Sequence, residues 1–416
     1  MHTASSGPLR RAAVVVGTAL LVVGGCSTDP GAPAEEDPPS PSVGEHSGAP
    51  TAIDGQLLWP DGSLVERTEV DTGAAWTAGD GVDYTVLYTS APGSAGEAYL
   101  APFALSPDGS LVVGRVPAGQ SDGGQWLTAP TVVGLYDGEA FDPFPGAPPV
   151  AGDHPRQAFG ASVEDGLAAW VETDRTDIGA SSWRIFSTGA GGGSRLVARS
   201  EDAGGTEVLV GTPMISGGRV YWATGNADEV DLFSRRADGS GTRDDVTTGV
   251  GPALGADATG VYVVRPSGSA EQSIERVAAG KPPEVILRRS GPEVAAIVAD
   301  GGVLVLVTAT RSSGGGTIEI VDTRARSART VRLDGSAWST SVALCDGRLQ
   351  WSEAGAEGLG ATVPTFVLDV ASGDLARIDV DDAFGSVLCT GDRLAWSHLD
   401  PASGAVAGTV VARWAH

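Results

Sequence analysis

From residue 54 onward, apolar residues alternate with polar ones or stand in short runs, and Gly, Asp, Ser or Pro interrupts them every few positions. A period of two is typical of β-strands with one buried face, and the interrupting residues are those that tight turns favour. No stretch shows the apolar spacing of a convincing amphipathic helix. The pattern therefore predicts an all-β chain.

A hairpin phrase recurs along this region: an apolar strand, a tight turn with Asp or Gly, and a second apolar strand that often ends in Trp. Its seven copies span residues 104–113, 163–170, 215–222, 259–264, 300–305, 344–351 and 388–396. Their last positions are 57, 52, 42, 41, 46 and 45 residues apart. A repeat of about 40 to 50 residues with about four strands is the signature of a β-propeller. We therefore expect a seven-bladed β-propeller, with six or eight blades as the alternatives.

The last repeat ends at Trp414 without a fourth strand. Because an uncovered sheet edge invites aggregation, another segment should pair with it. We expect residues 55–70 to supply the missing strand and so to join the two ends of the chain in one sheet.

Two of the repeat turns carry a family resemblance. Residues 106–111 read Ser-Pro-Asp-Gly-Ser-Leu, and residues 233–242 read Phe-Ser-Arg-Arg-Ala-Asp-Gly-Ser-Gly-Thr. These turns look like the repeat turns of TolB-type periplasmic β-propellers, and the likeness covers about residues 100–414. The resemblance implies a six- or seven-bladed extracytoplasmic propeller that binds partners, and it carries no catalytic residue across.

The N-terminus has the order of an export signal. Arg10 and Arg11 precede an apolar run over residues 12–23, and Gly24-Gly25-Cys26 follows it. A run of about a dozen residues is too short for a permanent membrane span. The order resembles bacterial lipoprotein signals, in which a peptidase cuts before the cysteine and acyl chains are attached to it. An ordinary signal peptide, or a weak membrane anchor with an incidental cysteine, is the alternative.

These features divide the chain into three expected regions. They are a lipoprotein signal peptide over residues 1–25, the lipidated Cys26 with a tether up to residue 50, and a propeller domain over residues 51–416. The tether is rich in Pro, Ser and Glu and contains almost nothing to bury, which predicts disorder. We expect the protein on the outer face of the cell membrane, held there by its lipid.

The formal net charge is −25, and removal of Arg10 and Arg11 with the signal peptide would bring it to about −27. Such a charge repels nucleic acid and anionic lipid headgroups. The expected partners are therefore the membrane, through the N-terminal lipid anchor, and an envelope protein, peptide or glycan. We expect no nucleic-acid partner.

Cys345 and Cys389 are the only cysteines besides Cys26, and they stand at the end of the first strand in two consecutive repeats. In an oxidising compartment such a pair predicts a disulfide. Two buried free thiols are the alternative. A metal site would need more ligands than two sulfurs.

Four tryptophans share one position of the repeat: Trp170, Trp222, Trp351 and Trp396. Equivalent positions in a propeller lie between neighbouring sheets, where a large ring fills the gap. We expect these rings to be core residues, with an aromatic ligand cage as the alternative.

The working face can be predicted from loop lengths. In each repeat the turn after the first strand is tight, whereas the loop after the second strand and the connector to the next repeat share the other side of the disc and are long and polar. Long loops on a rigid scaffold commonly carry binding residues. We expect this acidic, Trp-bearing face to hold a ligand or a basic partner, with plain solvated loops as the alternative. The candidate residues are Trp126, His154, Arg156, Asp174, Asp177, Trp183, Asp228, Glu229, Trp338 and Glu353.

Few catalytic motifs occur in the sequence. It contains no His-Glu-x-x-His and no phosphate-binding Gly-x-x-x-x-Gly-Lys. Its single Gly-x-Ser-x-Gly match, at residues 119–123, lies in a predicted long polar loop and not at the strand-to-helix turn that a nucleophile elbow needs. The acidic runs at 228–231 and 379–382 lack a twelve-residue calcium loop, so solvated loops are the better interpretation. We expect no catalytic residue, metal or cofactor, and a binding or scaffold function. The alternatives are a hydrolase or lyase with an active site at the central channel, and a structural envelope component.

The lipoprotein hypothesis gives the first testable prediction. Cys26→Ser should release the protein from the membrane fraction or leave an uncleaved precursor, because the thiol that accepts the acyl chains is gone. Cell fractionation with mass spectrometry of the N-terminus measures this. Unchanged, acylated membrane attachment of the variant would contradict the hypothesis.

Overall fold

The computed structural model describes residues 55–90, 99–116, 130–145, 155–174, 182–189, 193–203, 209–225, 230–267, 271–309, 315–333, 341–352, 364–379, 386–399 and 406–415. Within these ranges the regular structure is β-strand, apart from short 3-10 helices at Thr72–Ala74 and Ser200–Ala203. No helix in the described ranges has the length and apolar character needed to cross a membrane.

The first four strands form an N-terminal strap that runs along the outside of the molecule, over residues 55–90. They are β1 (Leu57–Leu58), β2 (Arg67–Glu69), β3 (Trp76–Thr77) and β4 (Tyr84–Thr89).

The remaining strands follow one another in seven sheets, which we number as blades 1 to 7 in chain order. Blade 1 contains β5 (Tyr99–Leu105), β6 (Leu111–Val116), β7 (Val132–Tyr136) and β8 (Phe141–Pro143). Blade 2 contains β9 (Gln157–Glu164), β10 (Leu167–Thr173), β11 (Trp183–Thr188) and β12 (Arg195–Arg199). Blade 3 contains β13 (Leu209–Val210), β14 (Met214–Ser216), β15 (Arg219–Gly225), β16 (Val230–Arg236) and β17 (Asp244–Val250).

Blades 4 to 7 repeat the same antiparallel order. Blade 4 contains β18 (Leu254–Asp257), β19 (Gly260–Pro266), β20 (Glu271–Val277) and β21 (Glu284–Ser290). Blade 5 contains β22 (Glu293–Asp300), β23 (Val303–Ala309), β24 (Gly316–Asp322) and β25 (Ser327–Leu333). Blade 6 contains β26 (Ser341–Cys345), β27 (Arg348–Ser352), β28 (Thr365–Asp369) and β29 (Leu375–Ile378). Blade 7 contains β30 (Val387–Thr390), β31 (Arg393–Leu399) and β32 (Val406–Trp414).

The innermost strands of the blades, which are the first strands except for β14 in blade 3, form a closed ring. Each contacts the innermost strand of the next blade, and β30 of blade 7 contacts β5 of blade 1. The chain is therefore an all-β, seven-bladed β-propeller. The sequence prediction is confirmed, and the alternatives of six and eight blades are wrong.

Seven hydrophobic clusters fill the seven gaps between neighbouring blades. The repeat-position tryptophans lie in four of them, each packed toward the preceding blade and at most 4% exposed. Three stack on a Phe of the neighbouring strand, and the ring centroids of Trp351 and Phe366 are 4.9 Å apart. The packing role predicted for these rings is confirmed.

The strand register shows which residues replace Trp in blades 4 and 5. Ser216 pairs with Arg219 at the hairpin of blade 3, and Asp257 with Gly260 at that of blade 4. Counting from these pairs, Val263 and not Val264 is the equivalent of Trp222. Leu306 takes this place in blade 5, where Asp300 pairs with Val303.

The strap closes the ring, but through a segment other than the expected one. The strand β4 pairs antiparallel with β32 as the outermost strand of blade 7, so the two ends of the chain do share a sheet. The expectation that residues 55–70 supply this strand is wrong. They contain β1 and β2, which instead add a fifth strand to blades 4 and 5, while β3 does the same for blade 6.

Tyr88 of β4 links blade 7 to blade 1. Its hydroxyl donates to the backbone oxygen of Gly109 at 2.8 Å and lies 3.3 Å from that of Tyr136. Burial raises the pKa of the Tyr88 hydroxyl, so it stays protonated and remains a donor at any physiological pH. On the same side, Arg393 of blade 7 donates to the oxygen of Pro107 at 2.7 Å.

Cys345 and Cys389 form a disulfide between blades 6 and 7, with their Cα atoms 6.0 Å apart. Both lie on first strands, β26 and β30, which contact each other in the inner ring. The pairing that the sequence predicted is therefore present, and it joins two blades at the inner end of their sheets.

A buried ionic group locks the strap onto the propeller. Glu319 of blade 5, with only 5% of its side chain exposed, lies 3.2 Å from Arg67 of β2 and 3.6 Å from Arg289 of blade 4. Desolvation lowers the pKa of Arg289, whose side chain is 2% exposed, and the nearby Glu319 charge opposes this effect. One carboxylate thus compensates two guanidinium groups from different parts of the chain.

This arrangement makes the stability contribution of Glu319 testable. Glu319→Gln should lower the free energy of unfolding by about 3–5 kcal/mol, because it leaves the buried Arg289 charge uncompensated. The matched control is Glu69→Gln, which breaks a surface pair with Arg332 whose side chains are 61% and 45% exposed. It should cost about 1 kcal/mol or less in urea unfolding. Equal losses for both variants would contradict the assignment.

Candidate binding cleft between blades 2 and 3

Most residues of the predicted working face lie outside the described residues. These are Trp126, His154, Asp177, Asp228, Glu229, Trp338 and Glu353, together with the predicted lipidation site Cys26. The structure does place Arg156, Asp174 and Trp183, and it brings all three together at one end of blade 2.

Arg156 and Asp174 are buried rather than displayed on a loop, with 7% and 8% exposure. Both bind Ser182: Arg156 donates to its backbone oxygen at 3.0 Å, and Asp174 accepts from its backbone N–H at 3.0 Å. Because these groups fix the backbone between β10 and β11, the expectation that they form an exposed ligand face is wrong.

Trp183 is also misplaced in the sequence interpretation. It begins strand β11 instead of lying in a connector, and it is fully buried in the cluster between blades 2 and 3. Its backbone N–H lies 3.4 Å from the hydroxyl of Ser200, next to the last strand of the blade. The ring is therefore a core residue.

Above this buried ring, the outer part of the gap between blades 2 and 3 opens into a cleft of about 410 Å³. The residues that line it come from both blades: Trp183, Val197, Ala198, Arg199 and Asp202 from blade 2, and Trp222, Arg235, Gly241, Thr242 and Arg243 from blade 3. The two indole rings, Val197 and Ala198 are at most 4% exposed and lie buried beneath it. Three arginines and one aspartate give it charged walls.

Two of the arginines hold the cleft's walls together. Arg235 donates through Nε to the oxygen of Gly241 at 3.1 Å and through Nη1 to the oxygen of Val197 at 3.0 Å, which joins β16 to β12. Arg243 donates through Nη1 to the backbone oxygen of Asp202 at 2.6 Å. Both bridge the gap between the blades, so the walls are preorganised by the fold.

Arg243 has two further contacts that fix its side chain. Its guanidinium lies 4.5 Å from the ring centroid of Phe233, a cation–π distance, and 3.3 Å from the carboxylate of Asp245. Phe233 in turn stacks on Trp222 with a centroid distance of 6.0 Å. The guanidinium of Arg243 therefore packs against the aromatic side chains of blade 3.

Of the three cleft arginines, Arg199 has the fewest contacts with other described residues. Among the described residues its one partner is Asp202, with Nε 3.4 Å from Oδ1, and 51% and 49% of the two side chains remain exposed. A pair this exposed contributes little stability. Both groups therefore face solvent at the mouth of the cleft and are accessible to a ligand.

In the gap between blades 4 and 5, the strap occupies the position that corresponds to the cleft. There the strap inserts Leu57, Trp59 and Val65 into the interblade cluster, and the guanidinium of Arg326 covers the Trp59 ring at 4.7 Å. The cluster between blades 2 and 3 contains, among the described residues, side chains of those two blades alone. An extended segment thus fills the outer gap between blades 4 and 5, whereas no described segment fills it between blades 2 and 3.

Sequence reasoning missed Arg199, Asp202, Arg235 and Arg243. The segment over residues 235–243 was interpreted as turn chemistry only, although it carries three arginines within nine positions. A signal was therefore present, but its meaning depends on which strand of the preceding blade lies opposite, and that information is not local.

No family model matches this chain, and no curated protein does. Solved structures similar to it include an acylaminoacyl peptidase from Pyrococcus horikoshii, with 11% identity, a TM-score of 0.49, and coverage of 77% of this chain and 52% of the other. A puromycin-hydrolyzing peptidase from Mycobacterium tuberculosis has 12% identity and a TM-score of 0.47, covering 80% and 56%. The β-propeller domain of the Trilobed protease from Pyrococcus furiosus has 11% identity and a TM-score of 0.41, covering 59% and 78%.

The chain thus spans about half the length of the two peptidases. At 12% identity or less, and with TM-scores below 0.5, these similarities carry no argument about what this chain binds or does. Within the described part of the chain, no three His, Cys, Asp or Glu residues cluster in a way that could hold a metal ion.

The corrected position of Trp183 is testable by stability. Trp183→Ala should lower the free energy of unfolding by about 3–5 kcal/mol, because it leaves a cavity in the core. Trp76→Ala is the matched control, and we expect less than half that loss because 41% of Trp76 is exposed. Thermal and urea unfolding measure both. A Trp183→Ala variant as stable as the parent protein would contradict the buried position of Trp183.

Proposed function

We propose that this chain is a lipid-anchored, extracytoplasmic binding or scaffold protein, and that it holds an envelope protein, peptide or glycan in the cleft between blades 2 and 3. The order of Arg10, Arg11, the apolar run and Cys26 supports the anchor. The TolB-type turns at 106–111 and 237–241 support an extracytoplasmic propeller that binds partners.

The observation that carries the binding role is the construction of the cleft. Ligand sites are concave, have an apolar base and contain a few fixed polar groups that orient the ligand. Here core side chains lie directly beneath the cleft, while the polar groups of Arg235 and Arg243 are held by bonds that cross the gap. Little ordering is left for the moment of binding, which favours affinity.

The alternatives of a hydrolase or lyase at the central channel and of a structural envelope component stay predictions. The enzyme alternative places the functional residues in the central channel, and the structural alternative requires no ligand site. A variant that fills the cleft therefore separates them from the proposed function.

The test uses Thr242→Trp, which puts a large side chain on an exposed turn residue of the cleft wall. The full-length protein, purified and immobilised, is exposed to solubilised envelope, and the retained components are identified by mass spectrometry. We expect a specific component that the parent protein retains and Thr242→Trp loses. The loss follows from the excluded volume and does not depend on the chemistry of the ligand.

Thr248→Trp is the matched control. Thr248 is an exposed residue on β17 of the same blade and does not line the cleft. This variant should retain the same component as the parent protein. Identical retention by all three proteins would contradict the cleft as the binding site, provided that the three melting temperatures agree.

A further inference from the structure

The geometry points to the chemical class of the ligand: we propose that the cleft between blades 2 and 3 binds an acidic peptide segment of a partner protein in an extended conformation, with one of its carboxylates on Arg199. The inference rests on the proposed function and deepens it. It reverses the sign of charge that the sequence predicted for the partner.

The charge of the cleft is the first argument. Its lining contains three guanidinium groups, on Arg199, Arg235 and Arg243, against the single carboxylate of Asp202. The carboxylate of Asp245, which lies outside the lining, pairs with Arg243, so the local balance is one positive charge. Hydrogen bonds between arginine and carboxylate are charge-assisted and often bidentate, since the planar guanidinium fork matches two oxygens. Arg235 and Arg243 bind their partners through Nε and Nη1, so among the described residues their Nη2 groups have no partner.

Asp202 already shows what these arginines bind. Its carboxylate lies 3.4 Å from Arg199, while its backbone oxygen accepts from Arg243 at 2.6 Å. The site therefore holds a carboxylate of its own at the mouth. Because the Arg199–Asp202 pair is half exposed and weak, a ligand carboxylate can replace the Asp202 carboxylate on Arg199. Asp202 then competes with the ligand carboxylate for Arg199, so removal of the Asp202 charge should strengthen ligand binding.

The extended form of the ligand follows from the protein's own strap. Residues 55–65 lie along the outer gap between blades 4 and 5, where β1 pairs with the edge strand β21 and Trp59 enters the cluster. Nearby, Arg326 forms an ion pair at 3.0 Å with Asp61 of that same strap segment. An extended segment that carries an acid beside an apolar side chain is therefore already seated in one gap of this ring.

The net charge of −25 does not prevent such a partner from binding. At physiological ionic strength the Debye length is about 8 Å, so distant acidic residues are largely screened and the local arginines decide the interaction. The same reasoning predicts weaker binding at high salt. At about 1 M salt the Debye length falls to about 3 Å and the exposed Arg199 contact loses most of its attraction.

Arg199→Gln is the informative variant, because Arg199 takes no part in the bonds between the blades. Asp202→Asn removes the competing charge but keeps the backbone oxygen that Arg243 binds. Arg195→Gln is the matched control: Arg195 is exposed on the same strand, β12, and does not line the cleft. All three change the charge by one unit at an exposed position, so the fold should tolerate them.

The probe is a fluorescein-labelled hexaglutamate peptide, titrated with the full-length protein at 0.15 M salt and followed by fluorescence anisotropy. Hexaglutamine is the uncharged control, and glutarate and inorganic phosphate are the free anions. We expect saturable binding of hexaglutamate, a weakening of about three- to fivefold for Arg199→Gln, and a strengthening of about threefold for Asp202→Asn. Arg195→Gln should bind as the parent protein does.

Three outcomes would overturn the proposal. They are no binding of hexaglutamate, binding that Arg199→Gln leaves unchanged, and binding of glutarate or phosphate as tight as that of the peptide. If Thr242→Trp abolishes partner retention while one of these outcomes occurs, the proposed function stands and only the acidic-peptide assignment fails. If Thr242→Trp has no effect on retention, the proposed function itself fails.

Discussion

The antiparallel pairing of Tyr84–Thr89 with Val406–Trp414 is the constraint on which the rest of the structure depends. Without it blade 7 would have three strands and an open edge, and Tyr88 would no longer connect blade 7 to Gly109 and Tyr136 of blade 1. A propeller gains its stability from closure, because each blade covers its faces only when both neighbours are present. The first and last parts of the described chain therefore have to pair before the gap between blades 7 and 1 is complete.

Closure by an N-terminal strand also determines which gaps are open. To reach blade 7, the strap passes over blades 4, 5 and 6, adds a strand to each, and fills the outer gaps with Leu57, Trp59 and Val65 in one case and Ala78 in another. Glu319 fixes this path by binding Arg67 beneath it. Blades 2 and 3 lie off the path, and their gap is bridged by arginines instead of being filled. The strap therefore does not cover the cleft within the described residues.

Much of the fold could be predicted because its information is local and repeated. The hairpin turns, the period of the repeat and the shared Trp position each recur several times, so the blade count and the packing role of Trp222 or Trp351 follow from the pattern. The site could not be predicted in the same way. The sequence pattern suggests a loop position for Trp183, because β11 begins at this residue. The role of Arg235 depends on Val197, which lies opposite it on the preceding blade and is distant in sequence. Such contacts between blades leave no periodic signal.

Native-state hydrogen exchange on Tyr84–Thr89 tests ring closure most directly. If these residues form the outer strand of blade 7, those of their amides that bond to Val406–Trp414 exchange as slowly as the bonded amides of that strand, and both are released together in denaturant. Exchange of the Tyr84–Thr89 amides at the rate of an unstructured peptide, while the β31 and β32 amides stay protected, would contradict closure by this segment.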